Sequence, residues 1–121
     1  MHGVPKDLPL AVLVGDSLVQ ICIGQNELIF RFRDAGSITV QGEWELTDIA
    51  GQVIDRSMEQ AARDVYRIHA ILGSPVTSFL VESPAWFSLT FASGATLRVF
   101  DDSAAYESFS VEATGVAGVH V

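Results

Sequence analysis

Cysteine is nearly missing from this chain. Cys22 is the only one in 121 residues, so no internal disulfide and no cysteine-based zinc site can form. Within Val19-Gln20-Ile21-Cys22-Ile23 it reads as a small buried strand residue. A nucleophilic role would need a histidine and an activating environment that the sequence does not display. Basic residues are few as well. Seven Lys and Arg against fifteen Asp and Glu give a formal charge of −8, which repels a phosphate backbone and removes nucleic acid from the expected partners. The same charge suits either plain solubility or steering toward a basic protein partner.

Long apolar runs are missing too. Asp7, Asp16, Gln20 and Gln25 interrupt the most apolar stretch, which falls short of the ~20 residues that cross a bilayer. The opening Met1-His2-Gly3-Val4-Pro5-Lys6-Asp7 has no charged segment followed by a long apolar block, so no signal peptide and no membrane association are expected. Cytoplasmic residence is the default expectation. No H-E-x-x-H, G-x-S-x-G, P-loop or strand-to-helix G-x-G-x-x-G occurs, and His2, His69 and His120 are too scattered for a metal site. No catalytic residue, cofactor or metal is expected, and an enzyme remains open only as an unrecognised one.

What is present is a repeat. Leu13-Val14-Gly15-Asp16-Ser17-Leu18 reads against Ile71-Leu72-Gly73-Ser74-Pro75-Val76 at an offset of 58, which also carries Ile21, Cys22 and Ile23 onto Phe79, Leu80 and Val81. After one inserted residue, Leu28, Phe30 and Phe32 fall on Phe87, Leu89 and Phe91, and Ile38 and Val40 on Leu97 and Val99. Two halves with one hydrophobic pattern imply a duplicated unit. Residues 1–121 are read as one domain with internal repeats at about 8–46 and 66–112.

Each unit opens with a helical pattern. Leu10, Leu13 and Val14 share a face in the first, with Gly15 at the C-cap position. In the second, Ser57 and Gln60 suit a capping box, and Met58, Ala61, Ala62, Val65, Ile68 and Leu72 form a stripe that predicts one long helix over 58–72, ended by Gly73 and Pro75. The period then becomes two. Leu28, Phe30 and Phe32, like Phe87, Leu89 and Phe91, alternate with other residues, and Asp34-Ala35-Gly36 and Ala92-Ser93-Gly94 supply hairpin turns. Val19–Ile23 and Val76–Val81 are apolar on both faces, as a central strand would be. Glu43–Leu46 and Ser108–Glu112 are read as extending each meander, and 47–56 as the linker between halves. The expected class is α+β: a tandem duplicated helix-strand-strand-strand unit, its antiparallel meanders packed about an approximate two-fold axis with the long helix covering shared surface.

The segments Phe91-Ala92-Ser93-Gly94-Ala95-Thr96-Leu97-Arg98-Val99 and Tyr106-Glu107-Ser108-Phe109 resemble the C-terminal half of a group of small uncharacterised bacterial proteins with an F-x-x-G-x-x-L-x-V strand, acidic residues and Y-E-[SA]-[FW]. Val19–Gly24 and Phe30-Arg31-Phe32 resemble their N-terminal half. The resemblance implies a fold and a bacterial origin and transfers no activity. Some small acidic bacterial domains act as immunity or antitoxin proteins, which is an analogy of type.

Six residues are candidates for interaction. Asp101, Asp102 and Glu107 form the densest carboxylate cluster, with Tyr106 inside it. Three carboxylates without EF-hand spacing fall short of a calcium site, and the cluster reads first as a capped turn. Trp86 falls on the strand face opposite Phe87, where an outward ring would suit recognition or be covered by the helix or a dimer partner. Trp44, between Glu43 and Glu45, reads as exposed or at an interface. His69 lies beside the helical stripe as a boundary residue. The leading functional expectation is a non-enzymatic protein-interaction module with a basic protein partner, in its narrowest form an immunity-type inhibitor. One alternative is a small-molecule-binding protein or unrecognised enzyme with a cleft near Tyr106, Glu107 and His69. Another is a structural homodimer subunit joined through Trp86 and its sheet face.

Overall fold

The computed structural model describes residues 4, 8–24, 27–57, 66–101, 109–113 and 119–120. Ten strands are seen among them: β1 Leu18–Ile23, β2 Leu28–Phe32, β3 Gly36–Val40, β4 Trp44–Thr47, β5 Val53–Arg56, β6 Val76–Glu82, β7 Trp86–Phe91, β8 Thr96–Phe100, β9 Phe109–Ala113 and β10 Val119–His120. They form two five-stranded antiparallel sheets, ordered β1-β2-β3-β9-β10 and β5-β4-β8-β7-β6. Leu28, Phe30 and Phe32 on one sheet, and Phe87, Leu89 and Phe91 on the other, are all buried in one hydrophobic cluster. The Phe87 and Phe109 rings meet edge-to-face at 4.9 Å between centroids. Phe87 belongs to the second sheet and Phe109 to the first, so this contact ties the two inner faces together.

The sheets exchange strands. β4 follows β3 in the chain yet pairs with β8 of the second half, Trp44 opposite Val99 and Leu46 opposite Leu97. β9 follows β8 yet pairs with β3 of the first half, Phe109 opposite Val40 and Val111 opposite Ile38. Glu43–Leu46 and Ser108–Glu112 were expected to extend their own meanders; the described parts instead cross over. The physical reason is that each three-stranded meander has a free edge at its last strand and an uncovered apolar face; crossing pairs that edge and ties the two apolar faces together. The 47–56 segment is not simply a linker. Its last four residues form β5, which pairs with β4 at the edge of the second sheet.

The junction between the halves is nearly two-fold. Gly15 N donates to Val76 O at 2.7 Å and Gly73 N to Leu18 O at 2.7 Å; Val76 N donates to Asp16 O at 3.0 Å and Leu18 N to Ser74 O at 3.3 Å. Each bond has its counterpart at the 58-residue offset read in the sequence. Gly15 and Gly73 both take positive φ, +89° and +82°, the region in which glycine alone escapes Cβ strain. The bulges repeat as well, falling between Leu18 and Gln20 in β1 and between Val76 and Ser78 in β6.

The α+β expectation is overturned: the described residues contain no α-helix and are dominated by strands. Residues 58–65 of the expected long helix lie outside the described residues. The remainder is irregular at 66–67, followed by a 3-10 turn over Ile68–Ile71. The Asp55 carboxylate accepts the amides of Arg67 at 2.6 Å and Ile68 at 3.0 Å, donors that an uninterrupted helix would commit to its own carbonyls. Ile68 and Ile71 are buried while Leu72, the last residue of the stripe, is 44% exposed, so burial here follows a three-residue period and not the i, i+4 spacing of the stripe. The first helical candidate is likewise a 3-10 turn, Ala11–Leu13. Finally, β1 and β6 are edge strands, not central ones.

Candidate functional site

The outer face of the second sheet carries the densest set of recognition-type side chains. The Ala92-Ser93-Gly94 turn sets the β7–β8 register, placing Trp86 opposite Phe100 and Ser88 opposite Arg98; β4 then places Glu45 opposite Arg98, and β6 places Glu82 opposite Trp86. Because Phe87, Leu89, Leu97 and Val99 point into the core, alternation turns Trp86, Arg98, Phe100 and Glu45 outward. The Arg98 guanidinium carbon lies 4.4 Å from the Trp86 ring centroid, a diagonal cross-strand contact of the cation–π kind. Its Nη1 donates to Glu45 Oε1 at 3.1 Å, with the side chains 37% and 25% exposed. The buried Nε has no hydrogen-bond partner among the described residues.

The rim of this face is acidic. Glu43 and Glu82 are exposed and Asp101 is half-buried; Phe100 N donates to Glu43 O, and Asp101 N to Ala85 O, both at 3.0 Å. These bonds keep the carboxylate-bearing backbone close to the two aromatic rings. The six candidates from the sequence separate accordingly. Trp86 faces outward beneath Arg98 and Asp101 lies nearby. Trp44 does not: it is 4% exposed, on the inner row opposite Val99. Its placement as an exposed or interface residue is thereby corrected, because the strand crossing turned an apparently solvent-facing residue into core. Asp102, Tyr106 and Glu107 lie outside the described residues. His69 is exposed on the 3-10 turn, its Nδ1 3.2 Å from Tyr66 O.

Arg98, Phe100, Glu43, Glu45 and Glu82 were not singled out as site residues. The signal for Arg98 and Phe100 was present in the hairpin, since a three-residue turn at 92–94 with Trp86 outward puts Phe100 opposite and Arg98 on its diagonal. Nothing in the linear pattern could place Glu45 beside Arg98, because β4 arrives from the other half.

A second polar feature is structural. Asp16 accepts the amides of Ser17 at 3.1 Å, Asp34 at 2.9 Å and Ala35 at 2.8 Å. Partial burial works to raise its pKa, but the amides of Asp34, Ala35 and Ser17, together with Arg33, outweigh it and hold the carboxyl below its ordinary value. Ser74, its counterpart, accepts the Ser93 amide through Oγ at 3.3 Å.

Among the described residues no group of three or more His, Cys, Asp or Glu could hold a metal ion, and no helix is long and apolar enough to cross a membrane. No protein-family model, curated protein or solved structure matches the chain, so the resemblance seen in its sequence gains no support from them.

Proposed function

We propose that this protein is a non-enzymatic interaction module of the cytoplasm that engages a basic protein partner through the outer face of its second sheet, an immunity-type inhibitor being the narrowest form of that role. The observation that carries the reading is the Arg98 guanidinium seated over the Trp86 ring at 4.4 Å, beside Phe100 and within a rim of Glu43, Glu45 and Glu82. Tryptophan and arginine are the residues that most often dominate binding energy, provided that a partner excludes water from them. The acidic rim attracts a basic partner and orients its approach, and the chain's charge of −8 extends that attraction beyond contact distance.

Affinity purification from the source organism tests this, comparing the wild-type chain with Trp86→Ser and Arg98→Ala. A stoichiometric basic partner should be recovered with the wild type. Each substitution should weaken its binding by about 2 kcal/mol or more, the scale of a hot-spot residue, and raised salt should slow association. Undiminished binding by both variants, with their melting temperatures unchanged, would remove the reading.

A further inference from the structure

Among the described residues the two sheets leave four edges, and two of them carry an evident protection. β5 carries Asp55 and Arg56, and β10 is two residues long; charge and brevity are the usual devices that stop an edge from recruiting another strand. β1 carries no charge, and β6 has none before Glu82, its last residue. β6 is the more open of the pair. Thr77, Ser78, Phe79 and Leu80 are exposed in succession, so both faces of the strand meet solvent at one place, with Phe79 38% and Leu80 53% exposed. In β1 the corresponding Ile21 and Cys22 are half-buried. At Val76 the free side of β6 is closed by the hydrogen bonds from Gly15 and to Asp16. Beyond that point, among the described residues, no strand pairs with Thr77–Glu82 on that side.

From these observations we propose that a second copy of this chain pairs antiparallel with β6 about a two-fold axis at Leu80, joining two five-stranded sheets into one. Register and charge select this occupant. Centring on Leu80 sets Leu80 against its own copy and Phe79 against Val81, apolar on apolar, and brings Ser78 opposite the one carboxylate, Glu82. It also keeps the incoming strand clear of the closed end at Val76. A basic peptide would meet no acid on β6 before Glu82, whereas two molecules of charge −8 can approach most closely where their surfaces carry none. The strand that reads as central from its two apolar faces thus becomes central in the pair. The pairing uses the backbone edge of β6 and leaves the Trp86 ring uncovered, Glu82 being common to the two surfaces. A two-fold perpendicular to the joined sheet presents both copies of that face on the same side.

Two measurements on the full chain test the pairing. Opposed residues in an antiparallel pair lie about 4.5–5.5 Å apart at Cα, inside the span a disulfide bridges. Leu80→Cys in a Cys22→Ser background should therefore give a covalent dimer on mild oxidation, whereas Val19→Cys on the β1 edge should not. Sedimentation should show a wild-type dimer at high micromolar concentration. Leu80→Lys, which opposes like charges across the axis, should raise the dissociation constant at least about tenfold and, at dilutions where both proteins are monomeric, leave the melting temperature nearly unchanged. A monomeric wild type at that concentration, a dimer indifferent to Leu80→Lys, or equal crosslinking through Val19→Cys would overturn the proposal.

Discussion

Phe30 and Phe87 lie on the inner rows of the two sheets, at the places that Leu89 and Leu28 hold in the other half; both are fully buried, and Phe87 also reaches Phe109 across the core. Truncating either ring leaves a cavity that close-packed neighbours fill only in part. Phe30→Ala and Phe87→Ala should each cost about 3–5 kcal/mol, read from denaturant midpoints at an unchanged m-value; a loss below about 1 kcal/mol would place the ring outside the core. Asp16 behaves differently because its role is polar. Its folded-state pKa lies below the unfolded value, so it contributes stability above the unfolded carboxylate range, and that contribution is lost as pH falls through the folded pKa. Asp16→Ala should cost about 0.5–2 kcal/mol at neutral pH, as for other carboxylates that receive backbone amides at a turn. The difference between wild type and variant should shrink on acidification, and a constant difference down to the lowest pH would contradict the hydrogen-bonded carboxylate.

At the level of elements, the two glycine turns decide how the halves meet. Gly15 and Gly73 have positive φ, and a Cβ added at either would touch nothing within 4 Å. The penalty of Gly→Ala is therefore backbone strain alone, about 1–2 kcal/mol. Gly15→Ala and Gly73→Ala should have similar effects, because the same reciprocal hydrogen bonds depend on each. A large inequality in thermal unfolding would show that the two junctions are not equivalent. The 3-10 turn at Ile68–Ile71 shows why the helical reading failed. Both Ile71 and Leu72 are apolar, so the sequence does not show which of them follows Ile68 into the core, and the Asp55 carboxylate that claims the Arg67 and Ile68 amides comes from a strand.

For the whole molecule, strand exchange makes the halves interdependent. Residues 1–57 alone would hold β1, β2 and β3 without β9, and would carry the β4–β5 pair without β8, the strand on which β4 docks. Residues 58–121 would have the converse gap. Each fragment expressed separately should be unfolded by circular dichroism, and mixing the two should restore strand signal and a cooperative melt. A fragment that folds by itself would show that the crossing strands are accessory. The intact chain should unfold in one transition, because the buried apolar residues of both sheets belong to one hydrophobic cluster.

Legible in the linear chain were the inward rows of β2 and β7, the two hairpin turns, the paired glycines and the 58-residue spacing of the junctions at Gly15 and Gly73. Those features are local: alternation follows from the pleat, turns from backbone freedom at a few residues, and a duplicated pattern from repeated selection of the same inward positions. Trp86 was legible as outward for the same reason, and its hairpin partners Phe100 and Arg98 could have been read from the turn. Which half each fourth strand joins follows from the folded topology alone. That choice buried Trp44 and brought Glu45 to Arg98. It also left β1 and β6 at edges, although their two-sided apolar pattern resembles that of central strands. Alternation records which side of a strand faces a core; it does not record whose sheet the strand completes, because that is settled by which free edge and apolar face lie within reach once the chain has collapsed.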